Sequence, residues 1–224
     1  MLYLWKLITL KEEITNKTIE SYIDKLIAFY GLYPQINEQG LKIQFEHKLY
    51  AECVLSVMQY FKLMNKVKVR CFADHLYPCK TSFARVHMPG FVPIYGTDQF
   101  KQMKINVDMK ESAKSHFYAF IRSLSHELAH IVLHSTKHSL HKSEVATDLC
   151  TLVFGFSDFV RKGSVYKMRK GENSYRGLIG YLDEDQIRHA TRYIESLRKT
   201  APPPKTMAAK IVESIMNFVN DLFN

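Results

Sequence analysis

Between about Ser112 and His134 the apolar side chains Phe117, Phe120, Ile121, Leu124, Leu128, Ile131 and Val132 recur at three- and four-residue steps. That is the period of a helix with one side in a core. Beside this stripe stand His126, Glu127 and His130, in the order H-E-x-x-H. Histidines four apart on a helix stack on one face, so both can ligate one ion. The carboxylate next to the first histidine is placed to act as general base toward a metal-activated water. The fold therefore has to give this helix a core on one side and a polar cleft on the other.

A zinc ion used in catalysis takes three protein ligands and keeps one position open. A metzincin would continue with a glycine and a histidine where this chain has Leu133 and Thr136, which excludes that class. Thermolysin-like enzymes take a glutamate from a second helix, with an aspartate one turn later that orients a ligating histidine from behind. Glu144-Val145-Ala146-Thr147-Asp148 supplies that pattern. The fourteen residues from His130 to Glu144 leave room for the first helix to end near His134, a loop over Lys137–Lys142, and an antiparallel second helix whose buried side is Val145, Leu149, Leu152, Val153 and Phe156. His134, His138 and His141 compete with Glu144 as third ligand. His134 continues the histidine row roughly 5–6 Å further along the axis, and His138 and His141 fall in the loop, where they are expected to be solvated.

At these residues the chain resembles the ImmA/IrrE-like family of zinc metallopeptidases, whose motif reads roughly H-E-L-G-H-x-x-L-H followed by E-x-x-A-N. Here it reads H-E-L-A-H-I-V-L-H and E-V-A-T-D, with Ala129, Thr147 and Asp148 as the departures. Those departures bring it nearer the thermolysin-like pattern. The resemblance covers about Ser112 to Phe156, with a looser likeness in the strands before it. It implies an intracellular peptidase that acts on a regulatory DNA-binding protein or a stress-response partner, and it names no substrate.

The 224 residues, 46% of them hydrophobic, with 14 Phe and 13 Tyr, argue for a packed globule and against disorder. Met1–Leu10 is apolar apart from Lys6 and Thr9, yet too short to span a bilayer and without the pattern of an export signal. Cys53, Cys71, Cys79 and Cys150 lack C-x-x-C spacing, so reduced thiols and a cytoplasmic location are expected. A net charge of +9 favours acidic partners, nucleic acid or an anionic membrane surface, but it is spread over several stretches with no nucleic-acid motif, and solvated basic faces are the expected reading.

Helices are expected over Ile14–Tyr30 and from about Glu46 to Met64. Val67, Val69 and Cys71 alternate with lysines and an arginine, and Met103, Ile105, Val107 and Met109 with Lys104, Asn106 and Asp108, as half-exposed strands do. With Phe83–Met88 and the short run Phe91–Tyr95 they are expected to form a small antiparallel sheet. Either Phe83–Met88 or Met103–Met109 is the candidate edge for an extended substrate. Beyond Phe156 a basic, glycine-interrupted stretch reads as loop with short elements, followed by a helix over Asp183–Arg198. The expected class is thus α+β and zincin-like: N-terminal helices, a small antiparallel sheet, the H-E-x-x-H helix packed on a second ligand-bearing helix, and C-terminal helices. Residues 1–200 read as one metallopeptidase domain, 201–206 as a Pro-rich linker and 207–224 as an amphipathic C-terminal helix.

The expected function is zinc-dependent endopeptidase, with metal ligands His126, His130 and Glu144, general base Glu127, and Asp148 holding a ligating histidine. Tyr166, Tyr175, Tyr181 and His189 are candidates for stabilising the oxyanion, and no spacing rule selects among them. The rival is a DNA- or regulator-binding module of a mobile element or repair pathway, with a structural or sensory metal site and a basic contact surface.

Overall fold

The structure is a computed structural model that describes residues 14–77, 83–170 and 173–199, with only the backbone pairing of the stretch 166–178. The Pro-rich segment, the helix expected over 207–224, the apolar Met1–Leu10 and Cys79 lie outside the described residues.

Helix α1 (Asn16–Tyr30) starts at Thr15, whose hydroxyl accepts from Thr18 N–H at 3.2 Å, and stops at Gly31, where φ is +77°. Its buried side is Ile19, Ile23, Leu26 and Tyr30. The single helix expected from Glu46 is instead α3 (Tyr50–Tyr60), preceded by a separate α2 (Glu38–Glu46). The break falls at Lys48, which adopts a left-handed φ of 60°.

Strands β1 (Lys66–Phe72), β2 (Ala84–His87) and β3 (Lys104–Lys110) form a sheet in the order β1-β3-β2, and a short α4 (Asp98–Gln102) precedes β3. β2 runs antiparallel to β3, but β1 runs parallel to it, with Val67 beside Ile105 and Val69 beside Val107. The sheet is therefore mixed rather than antiparallel. Alternation in a sequence sets which face is buried, but not which strand is the neighbour or its direction. Because β3 is central, Met103–Met109 is not an edge; among the described residues β2 is the edge beside the metal-motif helix. Phe91–Tyr95 forms no strand, and Tyr95 N–H instead donates to Ser135 C=O at 2.9 Å.

After a 3₁₀ turn over Glu111–Ser115 comes α5 (Phe117–Ser135), which packs against α3, β2, α6 (Glu144–Val153) and α7 (Ser157–Gly163). Phe120, Ile121, Leu124, Leu128, Ile131 and Val132 are all buried. Each such side chain contributes about 1.5–3 kcal/mol relative to exposure. α6 also packs on α1 and on α8 (Glu184–Arg198), so the second motif helix is enclosed on several sides. α8 begins with a capping box in which Asp183 Oδ1 accepts from Gln186 N–H at 2.9 Å and Gln186 Oε1 from Asp183 N–H at 3.0 Å. The stretch read as loop holds α7 and an antiparallel hairpin, β4 (Val165–Lys170) and β5 (Asn173–Leu178). No helix among the described residues is long and apolar enough to cross a membrane. Cys53, Cys71 and Cys150 are unpaired by disulfides.

Candidate metal centre

The 3.6-residue period of α5 brings Arg122, His126, His130 and His134 onto one side of the helix, and all four line a cleft of about 520 Å³ between α5, α6 and β2. Ser143 caps α6, its hydroxyl accepting from Ala146 N–H at 3.2 Å, so Glu144 occupies the first turn, where the helix dipole favours a carboxylate. Glu144 Oε2 lies 3.2 Å from His126 Nε2 and 3.1 Å from His130 Nε2. The ligand atoms of the three residues all fall within 4.8 Å of one another. Donors placed tetrahedrally at zinc bond lengths of about 2.0–2.1 Å stand about 3.3 Å apart, so this separation suits that ion. Two imidazoles and one carboxylate are also the donor types zinc accepts.

The histidines are oriented from behind. His126 Nδ1 is 2.9 Å from Asp148 Oδ1, and His130 Nδ1 is 3.4 Å from Thr147 Oγ1, whose own proton goes to Ser143 C=O at 3.0 Å. Asp148 and Thr147 thus accept the Nδ1 protons, and each Nε2 is turned to Glu144, where it is available to a metal once its own proton is given up. Burial works against charge on His126, but the hydrogen bonds its ring donates to Asp148 and Glu144 outweigh it and raise its pKa to about 10. Burial likewise disfavours the Glu144 anion, and the His126 and His130 contacts reverse that, holding it well below the usual carboxylate range. Such pairing of imidazoles with a carboxylate is how a cluster of metal-binding donors neutralises its own charge.

Asp148 is fully buried and its other oxygen accepts from Tyr181 N–H at 2.7 Å and Leu182 N–H at 3.4 Å. Arg122, 1% exposed, donates through Nη1 to Val160 C=O and brings Nη2 to 3.7 Å from Asp148 Oδ2. Gly180, at φ +93°, passes so close to this pair that a Cβ there would meet Arg122 Nη2 and lie 2.7 Å from Asp148 Oδ2. Arg122 is a site residue that sequence reasoning missed, although its place four residues before His126 puts it on the ligand face. Nothing in the local pattern points to Gly180.

Glu127 is 8% exposed and reaches the open edge of the sheet, where Val86 N–H donates to its Oε2 at 2.7 Å. Val86 pairs with Val107 across β2 and β3, yet turns its N–H away from β3 and toward α5. One carboxylate oxygen is thereby fixed and the other, Oε1, is left for a proton.

His134 lines the cleft but its ring centroid is 6.5 Å from that of His130. His138 is a buried residue rather than a solvated loop histidine. Its Nδ1 accepts from Leu140 N–H at 3.1 Å and its ring stacks on Tyr30 with centroids 5.6 Å apart. Burial lowers its pKa to about 4. His141 turns Nδ1 to His138 C=O at 2.8 Å. Neither His138 nor His141 belongs to the donor set. Of the oxyanion candidates, Tyr181 lies over the site, its ring 5.9 Å from that of His126, whereas His189 joins α8 to α1 through Glu20 at 2.9 Å. The side chains of Tyr166 and Tyr175 are outside the described residues.

Comparison of the chain with protein-family models, with curated proteins and with solved structures returns no match.

Proposed function

We propose that this chain is a zinc-dependent endopeptidase of the ImmA/IrrE-like kind, acting in the cytoplasm on a regulatory protein. The observation that carries the reading is the juxtaposition of the His126, His130 and Glu144 donors with Glu127 on the rim of a cleft bounded by an open strand edge. Zinc held there supplies a Lewis acid that acidifies water and polarises a peptide carbonyl. Glu127, its Oε2 held by Val86 N–H, takes a proton at Oε1 and delivers it to the departing amine. Asp148 and Thr147 keep the two imidazoles turned with Nε2 inward. Apart from the Val86 N–H already given to Glu127, the outer edge of β2 offers an extended substrate backbone partners beside the donors. Among the described residues three protein donors converge, which suits a site with an open position better than a closed structural one.

Hydrolysis of a peptide library by the zinc-loaded chain, its loss on chelation and its return with zinc is the expected outcome. Stoichiometric zinc binding with no hydrolysis of any peptide or candidate regulator would favour the structural or sensory reading.

A further inference from the structure

The outward face of the three strands carries Lys66, Lys68, Arg70, Arg85, Lys104 and Lys110, and the one carboxylate these strands themselves place there is Asp108. Lys66 and Lys104 sit directly opposite each other, an arrangement that opposes sheet pairing. Asp108 does little to neutralise the whole, because both its oxygens are taken: Oδ1 by Arg70 Nε at 2.6 Å and Oδ2 by His87 Nε2 at 2.7 Å. Arg85 is the direct register partner of Asp108 on β2, yet it makes no ion pair among the described residues. It is exposed, it stands on the edge strand, and it lines the same cleft as Glu127, His126 and His130.

A peptide extended along the open edge of β2 places alternate side chains on the two faces of the sheet. Those on one face point with Ala84 and Val86 toward α5, and those on the other lie beside Arg85 and His87. We propose that Arg85 seats a carboxylate side chain of the substrate on that outward face, so that the cleft selects acidic segments. Cleavage of a bound segment rests on the peptidase reading above, whereas its selection needs only the cleft. The surrounding lysines raise the local concentration of such a segment. A nucleic-acid strand fits the charge but not the chemistry of the face. Single-stranded ligands need exposed aromatic platforms for their bases, and the aromatic rings at that face among the described residues are covered: Phe72 is half-buried with the Arg70 guanidinium 5.7 Å from its ring centre, and Tyr77 and Phe83 are buried with Lys110 Nζ 5.4 Å from each ring centre.

The test uses zinc-loaded chain and a degenerate peptide library in which one position at a time is fixed as Glu, Gln or Lys. Cleavage is read with the wild type and binding with the Glu127→Gln variant. Glu should be preferred over Gln by about tenfold, as a charge-assisted contact in a cleft gives, and only at positions two residues apart. Arg85→Gln should remove the preference and Arg85→Glu should turn it toward Lys. Binding with that preference but no cleavage supports the acidic site and overturns the peptidase reading. Cleavage without charge preference, or with one that survives both Arg85 substitutions, overturns the site and leaves the peptidase standing. Tight binding of a single-stranded oligonucleotide that Arg85→Glu weakens, with no peptide preference, overturns it in favour of a nucleic-acid surface.

Discussion

Asp148→Asn tests how the imidazole is held. The carboxylate has one oxygen on His126 Nδ1 at 2.9 Å and the other on Tyr181 N–H at 2.7 Å, with Arg122 Nη2 at 3.7 Å, and both Asp148 and Arg122 are 1% exposed. An amide is nearly the same shape but must aim its NH₂ at one of two donors. Turned toward Tyr181 N–H, it buries two donors against each other, at about 1–3 kcal/mol. Turned toward His126, it forces the ring proton to Nε2 and removes the lone pair a metal needs. In either case Arg122 loses the charge beside it, and a buried ion left alone costs about 3–5 kcal/mol. A fall in unfolding free energy of about 3–5 kcal/mol is expected by urea titration, together with zinc binding weaker by about 10–100-fold in competition with a chromophoric chelator. Asp158→Asn, which touches an exposed pair with Arg161, is the control and should change neither. Wild-type stability and wild-type zinc affinity in Asp148→Asn would refute the claim that this carboxylate both neutralises Arg122 and sets the His126 tautomer.

Glu127→Gln should keep zinc and lose about 10²–10⁴-fold in turnover, since an amide cannot take the proton; near-normal hydrolysis by the purified variant removes Glu127 from the mechanism. His138 binds a proton at about 4 in the fold and near 6.5 unfolded, so its contribution to stability is fully present above 6.5 and is lost as pH falls toward 4. The loss is bounded at about 3 kcal/mol, and urea midpoints across that pH window should flatten in His138→Phe. Gly180→Ala places a side chain at φ +93° against Asp148, so it should lower stability by at least about 1 kcal/mol and weaken zinc binding with it; a variant indistinguishable from wild type in both would mean the backbone there relaxes freely.

The helical half of the site is legible from sequence because helix period and motif spacing report the same thing. His126 and His130 share a face at four-residue spacing, Glu144 follows at a distance that one turn can span, and both carrier helices have an apolar stripe that has to be buried. The sheet is only half legible. Alternation puts Val67 and Ile105 inward, but says nothing of the parallel pairing between them, which depends on how the chain crosses from β1 through β2. In β4, Tyr166 and Met168 alternate with Lys167 and Arg169, a strand signal that Gly163, Gly171 and Gly177 dilute. His138 shows a different limit. A loop between two helices reads as solvated until α1 is known to cover it with Tyr30 and Phe29, and that contact spans more than a hundred residues of chain. Arg122 lies on the legible helix face, but its counter-charge comes from α6 and its close neighbour from the turn at Gly180, so its role emerges only in three dimensions.

Zinc binding at limiting free metal tests the central claim most directly. Wild-type chain should take up one equivalent. Glu144→Ala should bind far more weakly, beyond the about 10–100-fold that loss of an orienting contact brings, while His138→Ala and His141→Ala, once shown to be folded, should bind as wild type does. Tight binding by Glu144→Ala, or its loss in either loop-histidine variant, would contradict the ligand set and the peptidase assignment built on it.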